Sequence, residues 1–162
     1  MKFVVTFLSL LFLLLSCSAT GMVDCEGRFT YDTDDFTPEQ QTWIVGSAWR
    51  WNAWVGREIV SVRPGKDSIC NIRAGKTKSS KAIGEEHEPT VLITIQLERM
   101  EALKILNQTR GEAVIMHEIG HALGFSHVGE NGKALMAPAG AIDFTEIDRI
   151  ECIQLGICTT LK

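Results

Sequence analysis

The chain has 162 residues, a formal net charge of -4, 45% hydrophobic and 22% charged residues. That length suits a single domain, and that balance excludes a disordered chain, which needs low hydrophobicity and high net charge. No block of Lys or Arg stands out, so nucleic acid is not an expected partner.

The first residues read as a leader and not as part of the fold. Lys2 supplies a positive start, Phe3 to Leu15 is an almost unbroken apolar run of 13 residues, and Ser16-Cys17-Ser18-Ala19 follows. A membrane-spanning helix needs about 20 apolar residues, so this layout predicts a signal peptide over residues 1–16 and an exported chain, extracellular or periplasmic. Leu14-Leu15-Ser16-Cys17 resembles a bacterial lipobox, although Leu15 is bulkier than that position usually carries. A lipid on Cys17 would add about 0.8 kcal/mol of membrane affinity per buried CH₂ and tether the protein. Once Cys17 is set aside, Cys25, Cys70, Cys152 and Cys158 remain, an even number. In an oxidising compartment these four can form two disulfides, and three pairings stay open.

Residues 17–26 form a short lead, and the domain is expected over residues 27–160. Gly27 to Asp32 alternates as a short strand. Thr37-Pro38-Glu39-Gln40 is a helix start, with Thr37 as cap, Pro38 at the first position and Gln40 completing a capping box. Trp43, Ile44, Ala48, Trp51 and Val55 then recur at helical spacing, and the tryptophans read as core. Ile59–Val62, Ser68–Arg73 and above all Thr90–Leu97 read as strands. Gly75 to Pro89 is polar and loop-like, with a short edge strand over Ala82–Glu86. Thr109 to Gly124 predicts a helix opened by a Thr109–Glu112 box and ended by glycine, and Thr145-Glu146-Ile147-Asp148 opens a last helix to about Leu155. Strands and helices partly segregate, which makes the class α+β, or mixed α/β.

The chemistry concentrates in His117-Glu118-Ile119-Gly120-His121-Ala122-Leu123-Gly124-Phe125-Ser126-His127, which holds three of the chain's four histidines. His117 and His121 are four apart and share a helix face. Two imidazoles so placed can bind one tetrahedral Zn²⁺ at about 2.0–2.1 Å. Glu118 leaves the helix about 100° further round, beside the metal without being forced to ligate it, where a base acting on a zinc-bound water belongs. His127 lies six residues after His121, on another face of a continuous helix. Gly124 can take positive φ and turn the chain so that the third imidazole returns. Three protein ligands leave a fourth position for water, the mark of a catalytic zinc site.

The motif H-E-x-x-H-x-x-G-x-x-H followed by a methionine resembles the metzincin signature. Within metzincins the chain is most similar to the matrixins, the matrix-metalloproteinase group, through Ala134-Leu135-Met136-Ala137-Pro138. Phe36 to Asn52 resembles the opening helix of matrixin domains and Phe144 to Gln154 their closing helix, with Asp148 matching an acidic position. The likeness covers most of Gly27 to Leu155, strongly after Gly111 and weakly in the middle. It implies a small, bacterial-type secreted or lipoprotein member, with a twisted, mostly parallel sheet, an active-site helix and a Met-turn at Met136. It also implies one catalytic zinc on His117, His121 and His127, Glu118 as catalytic base, protein or peptide substrates, and a monomer. The chain departs from the vertebrate pattern in one respect. Only His87 lies outside the motif, so a second, structural zinc cannot be built in the usual way; His87 reads as a solvated loop residue.

Two other readings stand beside this one. A secreted or lipid-anchored module of the same fold could bind zinc without cleaving peptides. A zinc peptidase of another clan could take a glutamate, Glu146 or Glu151, as its third ligand.

Overall fold

The computed structural model describes residues 25–66, 70–75, 84–87, 92–97, 108–130, 132–138 and 143–159. The leader expected over 1–16, Cys17 and most of the lead lie outside the described residues. The described elements are β1 (Arg28–Tyr31), α1 (Pro38–Val55), β2 (Ser61–Pro64), β3 (Asn71–Ala74), β4 (Gly84–His87), β5 (Leu92–Ile95), α2 (Gln108–Ala122) and α3 (Glu146–Gln154). The strands form one sheet in the order β2-β1-β3-β5-β4, parallel except for the antiparallel edge strand β4. This is the mixed α/β arrangement, with a mostly parallel sheet, that the sequence implies.

Local chemistry sets the ends of α1. The Thr37 hydroxyl accepts from the Gln40 N–H at 3.3 Å, and the Gln40 side-chain oxygen accepts from the Thr37 N–H at 2.9 Å. Such a reciprocal cap is worth about 1 kcal/mol. At the far end the Asn52 side chain takes the chain over. Its Oδ1 accepts the N–H groups of Ile59 and Val60 at 2.8 and 2.9 Å, and its Nδ2 donates to the Val60 carbonyl at 2.7 Å. Those backbone groups are thereby diverted from the sheet. That is why β2 begins at Ser61 and not at Ile59 as the hydrophobic pattern suggests. Pro64 is tolerated because β2 is an edge strand.

Helices α1 and α2 pack closely on each other, with α1 reaching β2 and α2 reaching β4 and β5. Trp43, Ile44 and Trp51 of α1, Ile115, Met116 and Ile119 of α2, Ile72 of β3 and Ile93 and Ile95 of β5 fill the core. Trp51 is fully buried between the ring of Phe125 (5.1 Å between centroids) and that of Phe144 (4.6 Å), and Trp54 stacks on Phe144 at 4.1 Å. Each such aromatic pair adds about 0.5–1.5 kcal/mol beyond its buried area.

Four sequence expectations need correction. Trp49 is 70% exposed, because it falls outside the stripe that Trp43, Ile44, Ala48 and Trp51 turn inward. The short edge strand expected over Ala82–Glu86 is β4 at 84–87, which takes in His87, so that residue lies in a strand and not in a loop. The helix expected to open at a Thr109 cap already runs at Gln108. Glu112, its supposed partner, instead pairs with Arg50 of α1, at 3.4 Å.

The four cysteines pair as Cys25–Cys70 and Cys152–Cys158. The first joins the start of β1 to the start of β3 across a separation of 45 residues; the second closes a separation of six at the end of α3. In the chain-entropy picture loops of these sizes contribute roughly 4 and 2 kcal/mol. Non-reducing peptide mapping of the mature protein should therefore recover these two linkages. Replacing Cys25 and Cys70 together by Ala should lower the thermal midpoint by more than 10 °C, and clearly more than the Cys152/Cys158 double replacement does. An equal effect from the two pairs would contradict the loop-length ordering.

Candidate metal centre

The segment from His117 to His127 is built by one helix and one turn. His117 and His121 stand one turn apart on α2. The helix then closes in a Schellman arrangement: the Phe125 N–H donates to the Gly120 carbonyl and the Gly124 N–H to the His121 carbonyl, both at 2.9 Å. Gly124 has φ 96°, a conformation that a side chain would strain. The bend delivers His127 back to the first two imidazoles, and the Val128 N–H fixes the outgoing chain on the Met136 carbonyl at 3.0 Å.

The three Nε2 atoms form a near-equilateral triangle, with sides of 3.1 Å (His117–His121), 3.2 Å (His117–His127) and 3.2 Å (His121–His127). Nδ1 of His117 lies 2.7 Å from the Leu135 carbonyl oxygen, and Nδ1 of His121 lies 2.9 Å from that of Phe125. A carbonyl only accepts, so in both rings Nδ1 carries the proton and Nε2 presents a lone pair. Two bare nitrogens 3.1 Å apart cannot bond each other; they fit a cation between them. A tetrahedral zinc with bonds of about 2.0–2.1 Å sets its nitrogens about 3.3 Å apart. The observed triangle is within about 0.2 Å of that. The donor set therefore fits a divalent transition metal, and the carbonyl-held Nδ1 atoms are the outer contacts such ligands usually have.

Burial favours the neutral form of two of the three rings. His117 is pushed down from its usual 6.5 to about 4, first by desolvation and then by the neighbouring His121 and His127, against the opposing pull of the Leu135 carbonyl and Asp148. His127 is lowered too, by desolvation and by His121. Glu118 is 6% exposed, directly after the first histidine.

Beneath the triad lies the turn at 134–137, whose four residues are all fully buried. Asp148 of α3 fastens it: its carboxylate accepts the N–H groups of Leu135 and Met136, each at 3.0 Å, and also the N–H and the hydroxyl of its own cap residue Thr145. The Leu135 carbonyl that orients His117 is thus tied back to Asp148. The resemblance to matrixins marked Met136 and Asp148, but the sequence reading missed Gly120. A Cβ built on Gly120 would lie 2.4 Å from the Met136 sulfur and 3.2 Å from the Trp51 ring. Only a glycine lets the methionine sit against the helix between the two histidines. Trp51 also donates from Nε1 to the Met116 carbonyl at 3.0 Å, fixing the turn of α2 that carries His117. Glu151, the alternative third ligand, does not join the triad; its Oε1 accepts the Ser126 N–H at 2.8 Å. Glu146 is likewise not among the grouped metal-ligating side chains of the described residues.

A parallel sheet with an antiparallel edge, a helix bearing two of three converging imidazoles, a glycine bend to the third and a buried methionine turn below them define a zinc metallopeptidase domain of the metzincin type. The family model described as matrixin matches residues 17–150, and the chain belongs to that family. No curated protein matches it.

Two outcomes follow from the packing and the titration. Gly120→Ala should cost about 1–3 kcal/mol, because the added methyl overpacks the Met136 contact, whereas Met136→Leu should cost less; denaturant unfolding of both variants checks this, and an alanine variant as stable as the parent would contradict the contact. In the chelator-stripped protein, the stability tied to neutral His117 is fully present above about pH 6.5 and is lost as pH falls towards 4. The thermal midpoint should drop between pH 7 and pH 5, and His117→Gln should make that drop smaller. An identical pH dependence in the two proteins would be the contrary result.

Proposed function

We propose that this protein is a zinc-dependent endopeptidase that hydrolyses peptide bonds in proteins. In this reading His117, His121 and His127 hold a single zinc ion and Glu118 is the general base. The observation that carries it is the triangle of Nε2 atoms, 3.1–3.2 Å on a side, offered by three protein side chains. A set of three leaves one position open, which suits catalysis better than a structural role. Membership of the matrixin family supports the same chemistry.

When bound, zinc supplies Lewis acidity, polarising the scissile carbonyl and acidifying a water molecule. The chain supplies the rest. Glu118 takes the proton of the attacking water and hands it to the leaving amine. Its burial keeps bulk water from competing for that carboxylate. His117 and His121 are aimed by the Leu135 and Phe125 carbonyls, which lie against their Nδ1 atoms and leave Nε2 turned to the metal position. Met136 supports the triad from below by packing, and Gly124 is the hinge that returns His127. An extended substrate segment pairs with the sheet edge at β4, which lies beside α2.

We infer further that residues 1–16 are an export signal, that 17–26 lead into a peptidase domain spanning 27–160, and that the mature protein works as a monomer outside the cytoplasm. Two disulfides support an oxidising destination. Among the described residues no helix is long and apolar enough to cross a membrane. A lipid on Cys17 would tether the mature protein.

Glu118→Gln and Glu118→Ala should keep one zinc per chain by elemental analysis and lose casein cleavage by about 10²–10⁴-fold. A chelator should abolish cleavage by the parent, and zinc should restore it. Undiminished cleavage by either variant would refute the role of Glu118. A parent that holds zinc but cleaves nothing would favour the non-catalytic module.

A further inference from the structure

The three imidazoles are not held alike. His117 and His121 are aimed by carbonyls on Nδ1. His127 is the exposed member of the set, and among the described residues its Nδ1 has no hydrogen-bond partner. It also sits outside the helix, on the irregular chain that follows Gly124. Its ring orientation is therefore inherited from its backbone. That backbone is pinned on its near side at Phe125, by the helix's own end, and on its far side at Val128, by the methionine turn. Between them, one residue before the ligand, the Ser126 N–H donates to Oε1 of Glu151, at 2.8 Å and 25 residues away in sequence.

Glu151 pays poorly as a packing residue. Its other oxygen, Oε2, is buried without a partner among the described residues. A buried, unpartnered carboxylate oxygen opposes folding. The contact to Ser126 is what the side chain achieves in exchange. Glu151 also stands three residues after Asp148 on the same short helix, and next to Cys152, whose disulfide to Cys158 closes the end of α3. Asp148 reaches the turn that aims His117, and Glu151 reaches the loop that carries His127.

We propose that Glu151 is a positioning residue: by accepting the Ser126 N–H it fixes the loop of the third histidine against α3 and thereby sets how firmly the site retains its metal. This rests on the metal-binding reading above but not on peptidase activity. Hydrogen-bonded supports of this outer kind typically change metal affinity by about 10–100-fold. What matters is an acceptor oxygen at the end of a four-atom reach, not the negative charge. The amide oxygen of glutamine should serve in its place, and a shorter or missing side chain should not.

The test uses the full mature chain as parent, Glu151→Ala, Glu151→Gln and Glu151→Asp. Each is loaded with zinc and challenged with excess chelator, and each is loaded with Co²⁺ for its visible absorption spectrum. Amide hydrogen exchange is followed in the metal-free proteins. Glu151→Ala should release zinc at least 10-fold faster than the parent, alter the cobalt bands and lose protection at the Ser126 amide while the amides of α3 stay protected. Glu151→Gln should stay within about threefold of the parent and keep its spectrum. If the alanine variant does not fold, Glu151→Asp stands in for it, with the same expected direction. Parent-like zinc release from Glu151→Ala, or equal acceleration in the alanine and glutamine variants, would overturn the proposal. So would a loss of protection spread over all of α3. A parent that binds zinc yet cleaves no peptide would sink the peptidase reading and leave this one standing. A parent that binds no metal would sink the metal site, and the Ser126 amide would still decide whether Glu151 holds the loop.

Discussion

The structure turns on three imidazole nitrogens that converge on one point, as a bound metal would require. The Leu135 and Phe125 carbonyls each lie within hydrogen-bonding distance of an Nδ1, at 2.7 and 2.9 Å, and so hold two imidazoles in the tautomer that bares Nε2. Nε2 of His127 completes a triangle with them, no side longer than 3.2 Å. Neighbouring elements hold them there. Burial keeps His117 neutral down to about pH 4, so its own Nε2 takes up no proton at ordinary pH. A cation is the remaining partner that satisfies all three rings at once.

The rest of the fold can be understood as support for that triangle. The sheet gives α2 a floor through β4 and β5, and α1 braces its other side. Trp51 connects the two helices: its indole fills the core beside Phe125 and Phe144, and its Nε1 hydrogen-bonds the carbonyl one residue before His117. Gly120 removes the one side chain that would keep Met136 away. Helix α3, only nine residues long, supplies carboxylates to both sides of the site, and a Schellman turn at Gly156 together with the Cys152–Cys158 bridge closes its end. A short helix is marginal by itself, so these covalent and capping restraints are what allow it to serve as a fixed support.

Much of this was legible in the sequence, for local reasons. The capping box at Thr37–Gln40, the β-branched and aromatic runs of β1 and β5, and the glycine that turns the chain before His127 are all encoded within a few residues of where they act. The eleven-residue histidine segment was legible for the same reason: helical spacing and one glycine suffice to bring its rings together. What escaped the sequence depends on distant partners. The start of β2 is set by Asn52 reaching forward to Ile59 and Val60. Glu112 resembles half of a cap until Arg50 arrives from another helix. The disulfide pairing, the need for glycine at 120 and the bond from Glu151 to Ser126 link residues that only the folded chain brings together. Trp49 shows the converse error, since its residue type suggests the core while its position on the helix places it in solvent.

The coordination shell of the loaded protein tests this most directly. X-ray absorption at the zinc edge of the mature chain, carrying one equivalent of metal, should show three imidazole nitrogens and one further light atom, all at about 2.0–2.1 Å. Replacing His127 by Ala should reduce the imidazole count to two. Sulfur in the shell, two imidazoles in the parent, or a shell unchanged by loss of His127 would contradict a site built from the three rings.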